Sequence, residues 1–353
     1  MYMKKIISIS LLMLGAFLFS GCSLPSTSKP LSGPLSNATV IKSIDGGIAW
    51  QSKIKIDDKK TIASVDVLSM AIDPVDSRII YIGTQANGLF VSKDGAETWS
   101  QLQLAEKIYN VVFDPLDHSV MYATAVLNGR AKIFKRLKEG ENWKEIYTEP
   151  ADGTVITSLA INSVNSQVIF AGTTGGVIVK TTDGGLTWAN IKKAAGPVAG
   201  IVFDSSNDWH LFFLVFQIGV LETKDGGKTI EDVTQKVDAE KHSTSFFSIA
   251  NDQAAGGAIY VGTGSGIFEK IGTSDLWKPI NIIESSKAFP IRAIAVNPLN
   301  PQEIMYSAAQ AIYKSVDGGT TWATFQLDAA KDISVLRYDR SDPLKIYAGL
   351  RKY

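Results

Sequence analysis

The chain has a single cysteine in 353 residues, so no disulfide framework holds it together. Its three histidines, His118, His210 and His242, lie far apart, with no cysteine or carboxylate at metal-ligand spacing. That pattern gives an intrinsic zinc site no support, and neither a metal nor a cofactor is expected. Charge of neither sign prevails, because 35 Lys and Arg balance 35 Asp and Glu. The basic footprint of a nucleic-acid binder is therefore missing, and no nucleic-acid partner is expected. No nucleophile elbow, phosphate loop, zinc-binding helix motif or paired-cysteine site occurs along the chain. What the sequence does have is a 45% hydrophobic and only 20% charged composition, enough for a sizeable core, and 30 glycines, which call for many tight turns.

Residues 1–21 read as a targeting segment. Lys4 and Lys5 form a basic start, residues 6–19 are almost wholly apolar, and Ser20 and Gly21 supply small residues before Cys22. The apolar run is shorter than the roughly 20 residues a spanning helix needs. The Ser-Gly-Cys end resembles a bacterial lipobox, which implies cleavage after Gly21 and acylation of Cys22. A Ser/Pro-rich stretch, residues 22–37, follows without hydrophobic period and reads as a tether. The expected location is the cell envelope, lipid-anchored on the extracytoplasmic side. Ser23 after the lipid site resembles the class sent to the outer membrane where the cell has one; otherwise the cell membrane is implied.

The remainder, residues 38–353, repeats itself. SKDGAETW ends at Trp99, TTDGGLTW at Trp188 and SVDGGTTW at Trp322. Weaker copies end at Trp50, Trp143, Ile230 and Trp277, so a copy recurs every 42 to 49 residues. Each closes a unit of four short apolar runs, and an Asp- or Asn-initiated turn after the first run recurs at Asp73, Asp114, Asn162, Asp204, Asn251, Asn297 and Asp339. Four strands at this period are the signature of a propeller blade. The stretch after the seventh copy supplies two strands and the stretch before the first complete unit supplies the other two. The expected fold is all-β: a seven-bladed β-propeller of four-stranded blades, closed by strands from both termini.

These units resemble the Asp-box, or bacterial neuraminidase, repeats of sialidase-like and sortilin-like propellers. The resemblance implies a structural role for Asp45, Asp94, Asp183, Asp225 and Asp317, whose carboxylates cap a turn, and for Trp50, Trp99, Trp188 and Trp322, which pack between sheets. Sialidases also carry an Arg-Ile-Pro motif and an arginine triad; no Arg-Ile-Pro occurs here, and the chain has seven arginines. The repeats are similar to those of two-propeller xyloglucanases as well, and a hydrolase would draw its acid and base from Asp57, Asp58, Glu149, Asp152, Glu240 or Glu284. A lipid-anchored single seven-bladed Asp-box propeller also resembles the photosystem II assembly and stability factor family, which implies a non-catalytic scaffold.

The favoured expectation is a membrane-tethered binding or assembly scaffold with a protein or glycan partner, and the alternative is a glycoside hydrolase acting on extracytoplasmic glycans. The longest connections, residues 52–65, 146–154, 234–244 and 281–290, share the face opposite the Asp boxes. Candidate contacts there are Asn87, Asn128, Arg130, Gln217, His242, Phe289, Arg292, Gln310 and Arg351. Counting back two residues from each first turn gives six apolar residues and Arg337, so a salt bridge across the seam is expected to neutralise that arginine.

Overall fold

The computed structural model describes residues 35–237, 245–251, 257–271, 274–283 and 289–353. They form seven antiparallel four-stranded sheets, the blades of a β-propeller, with one turn of helix, Thr234–Val237, in the described chain. The innermost strands are Asp332–Tyr338 in blade one, then Val67–Ile72, Lys107–Phe113, Ile156–Ile161, Val198–Asp204, Phe246–Asn251 and Ile291–Asn297.

The burial of each strand follows its distance from the axis. Second strands such as Ile80–Thr84, Ile169–Thr173 and Ile259–Thr263 are buried at every residue. They read as unbroken apolar runs because neighbouring blades cover both of their faces. Outer strands such as Ala189–Lys193 are largely exposed, and there polar residues take over. The core is accordingly divided into interblade layers. One of them packs Tyr81, Leu89 and Val91 of blade two against Ile108, Val111 and Met121 of blade three.

Glycine sets the blade spacing. Gly83, Gly172, Gly262 and Gly349 occupy one position of the second strand. A Cβ there would meet the next blade's Ile108 at 2.8 Å, Val198 at 2.5 Å, Ile291 at 2.8 Å and Val67 at 2.6 Å. Blade five reverses the arrangement: Leu214 fills the position, and the residue paired with it on the inner strand is Gly200. The volume is conserved even though the residues exchange places.

The seam blade takes its outer pair from one end of the chain and its inner pair from the other. Val40–Ser43 pairs with Ile346–Arg351 on one side and with Gln51–Ser52 on the other. Thr39 and Lys331 reinforce it from the next blade's approach, donating to Ile62 O at 2.6 Å and to Val65 O at 2.6 Å. Leu35 is buried and bridges Ala329, so packing begins inside the stretch that the sequence reads as tether. Cys22 and the rest of residues 1–34 lie outside the described residues.

The Asp turns follow one plan. In the first, the Ser43 hydroxyl donates to Asp45 Oδ1 at 2.7 Å and accepts Gly47 N at 2.8 Å, while Asp45 accepts the N–H groups of Ile48 and Ala49 at 3.0 Å each. Asp94, Asp183, Asp225 and Asp317 repeat it with a threonine hydroxyl added. The indole N–H groups reach across blades: Trp99 donates to Lys53 O, Trp188 to Ile146 O and Trp322 to Asn281 O, whereas Trp50 bonds within its own turn to Gly47 O.

Candidate functional site

Every inner strand carries the same irregularity. Its ladder with the second strand slips by one residue between Val67 and Ser69, Ile108 and Asn110, Ile156 and Ser158, Val198 and Gly200, Phe246 and Ser248, Ile291 and Ala293, and Ile333 and Val335. A bulged residue has no partner across the ladder, and the local kink re-aims its side chain. The seven left over are Leu68, Tyr109, Thr157, Ala199, Phe247, Arg292 and Ser334, and all of them line one cavity of about 560 Å³ bounded by all seven inner strands. They stand where the inner strands begin, on the face opposite the Asp turns.

Arg292 is the one charged member of that ring. Its guanidinium lies 3.4 Å from the centroid of the Tyr353 ring, and Arg351 approaches the same ring at 4.8 Å. Such contacts contribute about 0.5 to 2 kcal/mol, depending on desolvation. Asp332 Oδ2 is 3.7 Å from Arg292 Nε, and Gln310 donates to Asp332 Oδ1. The Nε atoms of Arg292 and Arg351 are buried without a hydrogen-bond partner. On the neighbouring inner strand, Phe247 meets Phe216 edge to face at 6.0 Å. The mouth is thus basic and aromatic where blades six and seven adjoin.

Three of the residues singled out in the sequence, Arg292, Gln310 and Arg351, converge here. Asn87 and Asn128 meet elsewhere, in a groove of about 870 Å³ between blades two and three. Arg130 is occupied at home: it donates to Pro150 O at 2.6 Å and pairs with Asp152 at 2.8 Å. Gln217 sits apart in a turn with φ of 59°, and Phe289 is 46% exposed. His242, Glu240 and Glu284 lie outside the described residues. Tyr109, Phe247, Asp332 and Tyr353 were missed. The bulge ring would have pointed to the first two, because only the slip in register turns them inward.

Hydrogen bonds from Thr321 and Ser315 hold Asp317 at about 2, and those from Thr229 and Thr223 hold Asp225 at about 2. Of the hydrolase candidates, Asp57 is lowered by the N–H groups of Lys59 and Lys60, Asp58 pairs with Lys55, and Glu149 accepts the Tyr147 hydroxyl at 3.0 Å. Every carboxylate shift resolved among the described residues is downward.

His210, isolated in the sequence, lies between two buried carboxylates, with Nδ1 2.8 Å from Asp204 Oδ2 and Nε2 2.7 Å from Glu222 Oε1. Buried Lys270 completes a quartet whose charges cancel only when His210 is protonated. Among the described residues no group of three His, Cys, Asp or Glu side chains is arranged so that it could hold a metal ion.

Arg337 departs from expectation. It has no carboxylate partner; its Nη1 donates to the carbonyl of its own neighbour, Leu336, at 2.8 Å, and the side chain lines the channel. The salt bridge across the seam is absent because no acidic side chain of the adjoining inner strands shares its register. That register holds Ala71, Val112, Ala160, Val202, Ala250 and Ala295 in the other blades. In blade six the mate is Ala250, since Asn251 still pairs in the ladder with Ile259, one residue short of the turn.

The fold and mouth together define a closed propeller with a basic, aromatic ring at one end of its channel. No protein-family model matches the chain. It is 24% identical over 309 residues to the xyloglucanase Xgh74A of Acetivibrio thermocellus, an alignment covering 80% of this chain and 28% of that protein. The chain thus spans little more than a quarter of that relative's length. A GH74 xyloglucanase from Xanthomonas campestris superposes with a TM-score of 0.68 and 18% identity over 81% of this chain and 51% of the other. YCF48 from Cyanidioschyzon merolae superposes at 0.61, with 13% identity over 81% and 95% of the two chains. A structure of YCF48 bound to D1 peptide gives 0.61, with 15% identity over 84% and 99%. These likenesses establish the fold.

Proposed function

We propose that the protein is a non-catalytic binding or assembly scaffold, held at a membrane by a lipid on Cys22, that engages a protein or glycan partner through the face opposite the Asp turns. The observation that carries this reading is the Arg292–Tyr353–Arg351 stack at the channel mouth. Two guanidinium groups beside one exposed ring offer charge and an aromatic face without a reacting group, which suits recognition. The likeness to YCF48, a single propeller matched along nearly its whole length and described as bound to a peptide, supports the same reading.

The second reading is a glycoside hydrolase, sialidase-like or xyloglucanase-like, acting on extracytoplasmic glycans. The sequence match to xyloglucanases favours it. Against it stands the lack of an upward-shifted carboxyl group among the described residues, since a general acid at neutral pH needs one. The deciding experiment compares the parent with Arg292→Ala and Tyr353→Ala in membrane pull-downs, in calorimetry with xyloglucan oligosaccharides and in an assay for released reducing ends. The scaffold reading expects capture or binding that both variants lose and no reducing ends. Turnover of the oligosaccharide would replace it with the hydrolase.

A further inference from the structure

At the far end of the channel, where the inner strands finish, Arg337 is the one residue of its register that is not small and apolar. The other six blades act as an internal control, since each places Ala or Val at this register. Arg337 is exposed, and its side chain lines the channel. Only one of its donors is used, toward Leu336 O.

The rest of the cavity offers it no anion. Asp73, the one carboxylate in the lining, is already engaged: Oδ1 accepts the N–H groups of Val75 and Asp76 at 2.8 and 3.1 Å, and Oδ2 faces His118 Nδ1 at 3.1 Å. Arg340 lines the same end, and Arg292 the opposite mouth.

We propose that this end of the channel binds a carboxylate on a slim apolar stem, its two oxygens taking the guanidinium fork of Arg337 and the stem lying against Ala71, Val112 and Val202 of the channel lining. The fork matches a carboxylate in geometry. Inorganic phosphate carries more charge and gives up more hydration against those apolar side chains. The carboxylate belongs either to a small free acid or to the C-terminus of a polypeptide, and the test separates the two. The site lies at the opposite end of the channel from the mouth and does not depend on the scaffold reading.

The probes are hexanoate, hexanamide, inorganic phosphate and a short peptide ending in Ala-Val, as free acid and as amide, added to the full-length protein in calorimetry and thermal melts. Hexanoate is expected to bind and raise the melting temperature, with hexanamide and phosphate inert. Arg337→Met is expected to weaken hexanoate about tenfold or more while melting no lower than the parent when unliganded. A free-acid peptide that outbinds hexanoate assigns the site to chain termini, and the reverse order assigns it to small acids. Arg337→Lys, which keeps the charge but loses the fork, is expected to lose affinity as well, and it serves if the methionine variant fails to fold. Binding to neither acid, an equal response to phosphate, or unchanged affinity in these variants overturns the proposal.

Discussion

Replacing His210 with Phe fills most of the imidazole's volume and removes both of its hydrogen bonds. Asp204 keeps the Ser206 N–H and hydroxyl at 2.8 and 2.6 Å, but Glu222 loses its 2.7 Å bond and is left with the charges of Lys270 and Lys224. Breaking a buried charged pair costs about 3 to 5 kcal/mol, and the partners that remain place this case near 3. That is a large part of a domain's stability of roughly 5 to 15 kcal/mol. The parent should also respond to pH in a way the variant does not. Burial lowers the pKa of His210, but the hydrogen bonds to Asp204 and Glu222 outweigh it and the folded value lies above the ordinary 6.5. Its contribution is therefore complete below 6.5 and is lost as pH rises through the folded value. Burial raises Asp204 and Glu222, and the His210 bonds override it, so both are lowered. Their contribution is present above the ordinary carboxylate range and is lost as pH falls through their folded values. Urea unfolding of parent and His210→Phe across this range should give curves that separate most on the acid side of neutrality and converge in alkali. Parallel curves at every pH would refute the charged quartet.

Ala96 sits at φ 73° where four other Asp turns have glycine, so Ala96→Gly should raise the unfolding free energy from urea titration by about 1 kcal/mol; a lower value would mean that its buried methyl outweighs the strain. Deleting residues 333–353 removes both inner strands of the seam blade and leaves Val40–Ser43 paired only with the two-residue strand Gln51–Ser52, so the cooperative melt should disappear in calorimetry; an unchanged melt would place the closure elsewhere. Cys22→Ala should move the protein from a carbonate-washed membrane pellet to the soluble fraction with its melting temperature unchanged, and retention in the pellet would remove the lipid anchor from the functional reading.

The sequence made the blades legible because each is bounded twice, by an Asp- or Asn-led turn and by the Asp turn. Turn chemistry survives on the surface, where nothing else competes for those positions. Register inside the blade was harder to read. Counting from Asn251 misplaced the inner strand of blade six by one, and Tyr306 stands one residue away from its counterparts, with Met305 opposite Ala295 where other blades put an aromatic. Both slips arise because alternation alone cannot locate a strand buried on both faces. The mouth was only half legible for a related reason. Arg292, Gln310 and Arg351 stood out as charged or polar residues in loops, but Tyr109 and Phe247 read as ordinary core until the bulge re-aims them. His210 was invisible because its partners lie 6 and 12 residues away on two other stretches of the same blade, joined only by the fold.

The bulge ring bears on how such a protein can change. A bulged residue has no cross-strand mate, so exchanging its side chain leaves the ladder of its blade intact. Seven such positions, from Leu68 to Ser334, border the channel, one per blade, each on a separate sheet with its own interblade packing. Thr157 and Ser334 also donate to the next blade's Val198 O and Val67 O at 2.8 Å each, so those two tie blades together; elsewhere on the rim a new specificity can be assembled one letter at a time with the ladders intact.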